Sequence, residues 1–384
     1  MKILFLCNSI GRQGTFFRWH NLAIGLTQLG HEVTVWAFDH AKFKQPERVE
    51  NVDGVTYHLL CGNRGRSWFT IEHHPLTALR GCFRNHKGFD VVHVFQPFLT
   101  STLPWLLRSK SLGKVIVYDW DDLWENGFIS GNGGGFGIRW GKWMTAQLER
   151  HAPRRADHVT TCSGYLAELA RARGAKKTTV IGNGFWPAQY PSKAEARKQV
   201  GLRDNCLYAG FMGRTITKTE LGWLAAAARL ASQSLIPCRL AICGMPENIL
   251  TPHLGAARQT VDYLGQLTPE QCRVFAATLD LGLLPLEDAP LNRARFPIKF
   301  SDYLAAGVPI LMTKIGPCAQ ASANWPWVFQ AEATQASWEG QFSQTIANLN
   351  QDQPPKIDAK VVEQNCSWLN FAKQAEAVYL GLLA

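Results

Sequence analysis

No run in this 384-residue sequence reaches the roughly 20 consecutive apolar positions that span a bilayer, so no transmembrane helix is expected. The opening MKILFLCNSI is apolar for too short a stretch to act as a secretory leader, since Asn8 and Arg12 break it, and it reads as a first strand. Close cysteine pairs are missing as well. The ten cysteines come no nearer than Cys238 and Cys243, which leaves neither zinc-ligand spacing nor a disulfide framework. Cys7, Cys206 and Cys243 lie inside apolar runs, where a thiol acts as a small hydrophobe. Reduced thiols without a leader point to a cytoplasmic location. Blocks of five or six like charges are absent, and so are internal repeats. The net charge of +10 is spread along the chain rather than gathered in a stripe, so nucleic acid is not an expected partner. Phosphorylated small molecules or an anionic membrane face suit such a charge better.

What is present suffices for two cores, with 46% hydrophobic and 18% charged residues. Short β-branched runs at 2–7, 32–38, 55–60, 91–95, 115–119 and 158–163 alternate with helical stretches. The helix expected over 15–29 spaces Leu22, Leu26 and Leu29 on one face, and Gly30 follows as its cap. The pattern restarts with strands at 206–213, 239–244, 261–265, 279–286 and 309–313, with helices at 219–233, 269–277 and 297–306 between them. Strands alternating with helices imply parallel sheets covered on both faces. The expected architecture is therefore α/β, with two Rossmann-like doubly wound domains facing across a cleft. The N-terminal domain takes residues 1–185 and the C-terminal domain 186–367. A last helix over 368–384, with Trp368, Phe371, Ala375, Val378 and Leu382 on one face, belongs with the first domain. The Gly- and Pro-rich stretch 182–193 is the expected linker, and the glycine-rich 127–141 an expected loop.

Parallel sheets bind ligands at the carboxyl ends of their strands, so the chemistry is sought there. Gly11 and Gly14 follow the first strand and lead into a helix, a place where backbone can approach an anion. A dinucleotide fingerprint needs a third glycine, and Asp39 alone does not supply the rest. In the second half, Gly213 and Arg214 end a strand and Lys218 follows, two cations suited to a diphosphate. Lys299 and Asp302 lie three apart near the start of a helix that Pro297 opens and Gly307 closes. A carboxylate there can accept both hydroxyls of a ribose while the lysine meets phosphate.

The segment from Lys299 to Leu311 resembles the signature K-x-x-E-Y-x-A-A-G-x-P-V-V of glycosyltransferase family 4 and its GT-B relatives. Further landmarks follow in the family's order. They include Gly14 with Leu22-Ala23, Gly30 to Val35, the strand D-V-V-H ending at His93, Asn183-Gly184, Gly213-Arg214 with Lys218, Val261 to Gly265, and Gly316 with Gln320. The resemblance implies a glycosyltransferase that moves a sugar from a nucleotide-diphosphate sugar to an acceptor, retaining anomeric configuration, with no metal and no cofactor. It implies that Arg214 and Lys218 hold the donor diphosphate and support catalysis, with Gly14, Gly213, Lys299, Asp302 and Asn183 as further donor-side residues. Asp302 stands where the family has glutamate.

The sequence departs from the family at four further places. Ala294 replaces the first glutamate of E-x7-E, leaving Arg293 and Arg295 to bind phosphate instead; Phe95 replaces the second histidine of D-V-V-H-x-H. The spacing from Arg214 to Lys218 is one residue short, and no glycine follows the lysine. Asp121 and Asp122, after a strand, are acceptor-side candidates together with His93. The D-x-D of Asp119 and Asp121 would bind metal in the GT-A fold rather than this one. Residues 67–89 mix Trp68, Phe69 and Leu76 with Arg80, Arg84 and Lys87, which fits either an ordinary amphipathic helix or peripheral contact with anionic lipid. A lipid-linked, glycan or small-molecule acceptor remains open. An inactive GT-B binding subunit and a non-transferring nucleotide-sugar enzyme such as an epimerase stay as alternatives.

Overall fold

The computed structural model describes residues 1–9, 14–39, 47–61, 71–83, 88–125, 135–214, 217–350 and 356–384. The chain divides into two compact units. One holds Met1–Asn183, Ala294–Phe296 and Trp368–Ala384; the other holds Gly184–Arg293 and Pro297–Ser367.

The N-terminal unit is built on strands β1 (Lys2–Ser9), β2 (Glu32–Asp39), β3 (Arg48–Val52), β4 (Val55–Cys61), β5 (Phe89–Phe95), β6 (Gly113–Trp120), β7 (His158–Thr161) and β8 (Thr178–Val180). They form one sheet in the order β3-β4-β2-β1-β5-β6-β7-β8. All neighbours are parallel except β3 and β4. That hairpin was not expected, although its Asp53-Gly54 turn carries the usual signal: both residues have positive φ, at 53° and 80°. Central strands are buried almost throughout, as runs such as VVHVF require of a sheet covered on both faces. The helices of this unit are α1 (Thr15–Gln28), α2 (Pro75–Cys82), α3 (Leu99–Leu112), α4 (Phe136–His151) and α5 (Gly164–Ala172). Of the amphipathic stretch 67–89, α2 and a short turn at Ile71–His73 are described; residues 62–70 and 84–87 lie outside the described residues.

The C-terminal unit holds β9 (Leu207–Met212), β10 (Cys238–Cys243), β11 (Val261–Tyr263), β12 (Leu281–Leu284), β13 (Ile310–Thr313) and β14 (Val328–Ala331). Their order is β11-β10-β9-β12-β13-β14, all parallel. Its helices are α6 (Lys193–Val200), α7 (Lys218–Gln233), α8 (Glu247–Leu250), α9 (Pro269–Ala277), α10 (Pro290–Ala294), α11 (Ile298–Ala305), α12 (Gly316–Ala321), α13 (Gln335–Leu349) and α14 (Ala359–Cys366). Helix α10 ends on Ala294, which the N-terminal unit claims. The final helix α15 (Trp368–Leu383) packs on α1 of the N-terminal unit, burying Trp368, Phe371, Ala372, Ala375 and Tyr379. The two α/β sheets and the returning helix are those of a GT-B fold.

Candidate active site

In the C-terminal unit the strand ends are lined by glycine. Gly213, Gly244 and Gly265 all have positive φ (93°, 78° and 68°), and they are stitched side by side by main-chain bonds. The Gly213 N–H donates to the Cys243 carbonyl at 2.9 Å, and Gly244 N–H to the Gly265 carbonyl at 2.7 Å. A Cβ on Gly244 would stand 2.9 Å from the Gly213 Cα, so side chains are excluded from this edge. Lys299, near the start of α11, crosses it. Its Nζ lies 4.0 Å from the Phe211 ring centroid, and 3.6 Å from where a Cβ on Gly213 would be. One turn further, Asp302 is half-buried, and burial pushes its carboxyl up to about 7 despite the opposing pull of Arg273 and Lys299.

The helix that presents this pair is held by Tyr303. The fully buried phenol accepts from the Met212 N–H at 3.1 Å and donates to the Gly210 carbonyl at 3.1 Å, pinning α11 to the end of β9. Its ring lies flat on Gly282, where a Cβ would come within 2.5 Å. Beyond the glycine edge, Arg214 and Lys218 are exposed, and Lys218 opens α7, capped by the Thr217 hydroxyl. Nearby, Asn292 donates to buried Glu220 at 2.8 Å and to the Glu287 carbonyl at 2.8 Å. Gly316, with φ 76°, lets the Asn292 carbonyl approach, since a Cβ there would meet it at 2.5 Å.

In the N-terminal unit the strand ends carry a buried polar network. Arg18, on α1, forms a bidentate pair with Asp119 at the end of β6, at 2.7 and 2.9 Å. Its third nitrogen donates to the carbonyls of Ile181 and Gly182 and to Asn183 Oδ1, at 2.9–3.0 Å. Asp119 also accepts from Thr160 at 2.6 Å. Burial alone would raise its carboxyl, but the Arg18 charge and bonds hold it below the usual range. His93 is fully buried, with Nδ1 2.6 Å from the Tyr379 hydroxyl and Nε2 3.1 Å from Thr160 Oγ1. Burial lowers it to about 3, so it stays neutral.

The next two carboxylates differ. Asp121 is buried and accepts from Gln96 Nε2 at 2.9 Å. Asp122 is only partly buried, yet desolvation lifts it to about 7 against the pull of Arg295 and Arg18. Fully buried Glu149, on α4, holds the segment that follows by accepting from Trp120 Nε1 and from the N–H groups of Trp124 and Glu125, at 2.8–2.9 Å. Gln96 follows β5 with φ 69°, a left-handed backbone that only one other described non-glycine residue, Asp53, adopts. Such a conformation costs about 1–3 kcal/mol. Its Oε1 is buried with no hydrogen-bond partner among the described residues.

The residues expected from sequence thus fall into two groups. Gly213, Lys299 and Asp302 are brought together at one sheet edge, with Arg214 and Lys218 beside them along the chain. Arg295 stands instead in the N-terminal unit, beside Asp122. Asn183 spends its amide inside that unit, on Arg18 and on the Phe296 carbonyl at 2.9 Å. His93 has both ring nitrogens engaged, so it offers no open group to a ligand. Gly14 is the N-cap of α1, and its φ 56° and ψ −126° suit glycine alone, with open space where a Cβ would be. Its partner Gly11, and residues 126–134 of the glycine-rich stretch, lie outside the described residues. Sequence reasoning missed Gln96, Glu149 and Arg18, which no spacing rule marks because each acts through partners distant in sequence; Tyr303 stands in the signature, but its hold on β9 was not read from it. No group of three or more metal-ligating side chains occurs among the described residues.

Comparison with known proteins gives a consistent picture. Residues 14–184 match the Glycosyl transferase 4-like domain family, and residues 166–348 the family Glycosyl transferases group 1. A protein of Bacillus subtilis strain 168 assigned to teichuronic acid biosynthesis as a glycosyltransferase, TuaH, is 23% identical over 234 residues, 59% of this chain and 56% of that protein. The matched region therefore spans little more than half of that relative's length. Among solved structures, sucrose-phosphate synthase from Thermosynechococcus elongatus is similar at a TM-score of 0.77 and 15% identity, covering 100% of this chain and 99% of that one. Anabaena HepE, solved in complex with UDP and glucose, gives 0.67 and 16%, covering 98% and 99%. These two likenesses show the fold.

Proposed function

Because the chain is a GT-B glycosyltransferase resembling family 4, we propose that it transfers a sugar from a nucleoside-diphosphate sugar to an acceptor hydroxyl, with retention and without a metal ion. The observation that carries the donor assignment is Lys299 laid across the glycine edge with Asp302 one turn on. Bare backbone there lets a pyrophosphate approach, Lys299 offers it a charge, and ionised Asp302 accepts hydrogen bonds from the ribose hydroxyls. Arg214 and Lys218 stabilise the charge that builds on the leaving diphosphate. The bond from the anomeric carbon to the phosphate oxygen breaks, its electron pair staying with the phosphate. The acceptor oxygen bonds the same carbon on the same face, and its proton passes to Asp121 and on to solvent. Anabaena HepE, with UDP and glucose, makes UDP-sugars the first donors to test.

A thermal-shift panel of UDP, GDP, ADP and CMP with their sugars identifies the base, since a ligand bound only to the folded state raises the melting point by mass action. Lys299→Ala is expected to abolish the shift and Asp302→Asn to reduce it strongly. Arg214→Ala and Lys218→Ala are expected to bind donor but to lose about 2–4 kcal/mol of barrier lowering each. A full shift in the Lys299 and Asp302 variants, or intact turnover in the other two, refutes the assignment. We extend the reading to a cytoplasmic protein in peripheral contact with an anionic membrane. Its support is that α2 and its C-cap leave Leu76 and Phe83 exposed along with Arg80, and that α4 leaves Phe136 and Trp143 exposed along with Arg139 and Lys142.

A further inference from the structure

We propose that Gln96 is a positioning residue, whose side-chain Nε2, donating to Asp121 Oδ1, aims the Asp121 carboxylate at the attacking acceptor hydroxyl. The inference rests on the transferase reading above and deepens its acceptor side. Three observations converge on one side chain. Gln96 keeps a left-handed backbone at φ 69°, held by its N–H on the Asp119 carbonyl at 3.1 Å and by the Ser101 hydroxyl on its own carbonyl at 3.2 Å. Glycine or asparagine would adopt that backbone with less strain, so the glutamine is there for its longer side chain. That side chain is buried, at 1% exposure, and spans from β5 to the end of β6 to reach Asp121. Its Oε1 has no partner among the described residues, so hydrogen bonding within the unit does not fully repay the amide's burial. Strain and an orphaned acceptor at one buried residue mark sites shaped for function rather than for stability.

The charge around Asp121 explains what the amide does. Asp119 and Asp122 face it from its own strand and loop, Arg18 from α1, Cys162 from the turn after β7 and Tyr118 from within β6, while Arg295 sits beside Asp122. Burial first, then Asp122 and Asp119, push the Asp121 carboxyl upward, and Arg18 opposes them. An N–H donor favours the ionised form, the one able to take a proton from the acceptor. Gln96 therefore orients the carboxylate and keeps it available as a base. Removing its amide raises the pH at which Asp121 ionises.

The test is Gln96→Asn, which tolerates the left-handed backbone but is one methylene too short to keep the bond. Carbon-detected NMR titration of the aspartate carboxyls, with Asp121 assigned through Asp121→Asn, is expected to show Asp121 ionising about one pH unit higher in the variant. Release of nucleotide from UDP-, GDP- and ADP-sugars, with glycerol as the probe alcohol, is read in parallel from pH 5 to 9. The acid limb of kcat is expected to move up by the same amount, with the rate recovering at high pH and the donor KM unchanged. An unmoved Asp121 titration, or a rate loss equal at all pH, overturns the proposal. Should the asparagine variant fail to fold, Gln96→Gly, which removes the backbone strain outright, is read the same way. If the wild-type chain neither binds nor turns over any sugar nucleotide, the transferase reading falls, and this proposal falls with it. Wild-type turnover alongside an unmoved acid limb sinks the positioning role alone.

Discussion

Asp302, at the position where the family signature it resembles has glutamate, is drawn into the fold far enough that burial lifts its carboxyl to about 7 against the pull of Arg273 and Lys299. If the ionised form accepts the ribose hydroxyls, binding draws on a group that is only part ionised at neutral pH. The sign follows directly: protonated carboxyl loses the acceptor role, so donor affinity falls as pH drops through the folded value. Between pH 8 and 6 the loss is expected to be about tenfold, because a group titrating near 7 goes from mostly ionised to mostly neutral across that span. Calorimetric titration with a sugar nucleotide, whose diphosphate keeps its charge in this range, checks it. Asp302→Asn is expected to bind weakly and without this slope; an equal slope in that variant would place the titrating group elsewhere. The pair Lys299 and Asp302 was legible in the sequence because three-residue spacing puts both on one helix face. Gln96 was not, since positive φ at a glutamine leaves no mark in composition or period.

At the scale of the element, α11 matters as a rigid carrier, and Tyr303 is what sets its position. Replacing that phenol by Phe leaves the Met212 N–H and the Gly210 carbonyl unpaired inside the unit, a cost of about 1–3 kcal/mol. Gly282→Ala drives a methyl into the same ring, at a cost of about 1–3 kcal/mol in overpacking. Both variants are expected to melt earlier and to lose donor affinity, although neither residue belongs to the proposed donor contacts. Chemical denaturation and a donor titration measure the two effects; lowered stability with donor affinity intact would show that α11 holds its place by other means. The sequence places a helix over 297–306 and the structure finds Ile298–Ala305, with Pro297 as its N-cap and Gly307 in the left-handed region just past its end. Short edge strands were harder to see. Thr178–Val180 and Val328–Ala331 pair with one neighbour each and carry little alternation, so their periodic signal is weak.

For the whole molecule, a charge of +10 without a basic stripe gains meaning from where apolar side chains remain outside. Helices α2 and α4 leave Leu76 59% and Trp143 54% exposed, and Phe83, just past α2, 82%, next to exposed arginine and lysine. Partition to vesicles of phosphatidylglycerol is expected to exceed partition to neutral vesicles, to weaken with salt, and to drop several-fold in Phe83→Ser with Trp143→Ser. Retention that ignores both lipid charge and these substitutions would end the membrane reading. The sequence by itself determined the α/β class, the glycine-lined turns and the family signature from Lys299 onward, because these are written in local periodicity and in positions that only glycine fills without strain. Only the tertiary structure decided that Arg295 keeps company with Asp122, that Arg18 spends its charge on Asp119, that His93 is sealed in the core, and that Gln96 reaches Asp121. Each of these is a meeting of side chains from separate strands and helices, and burial and charge pairing act through space rather than along the chain.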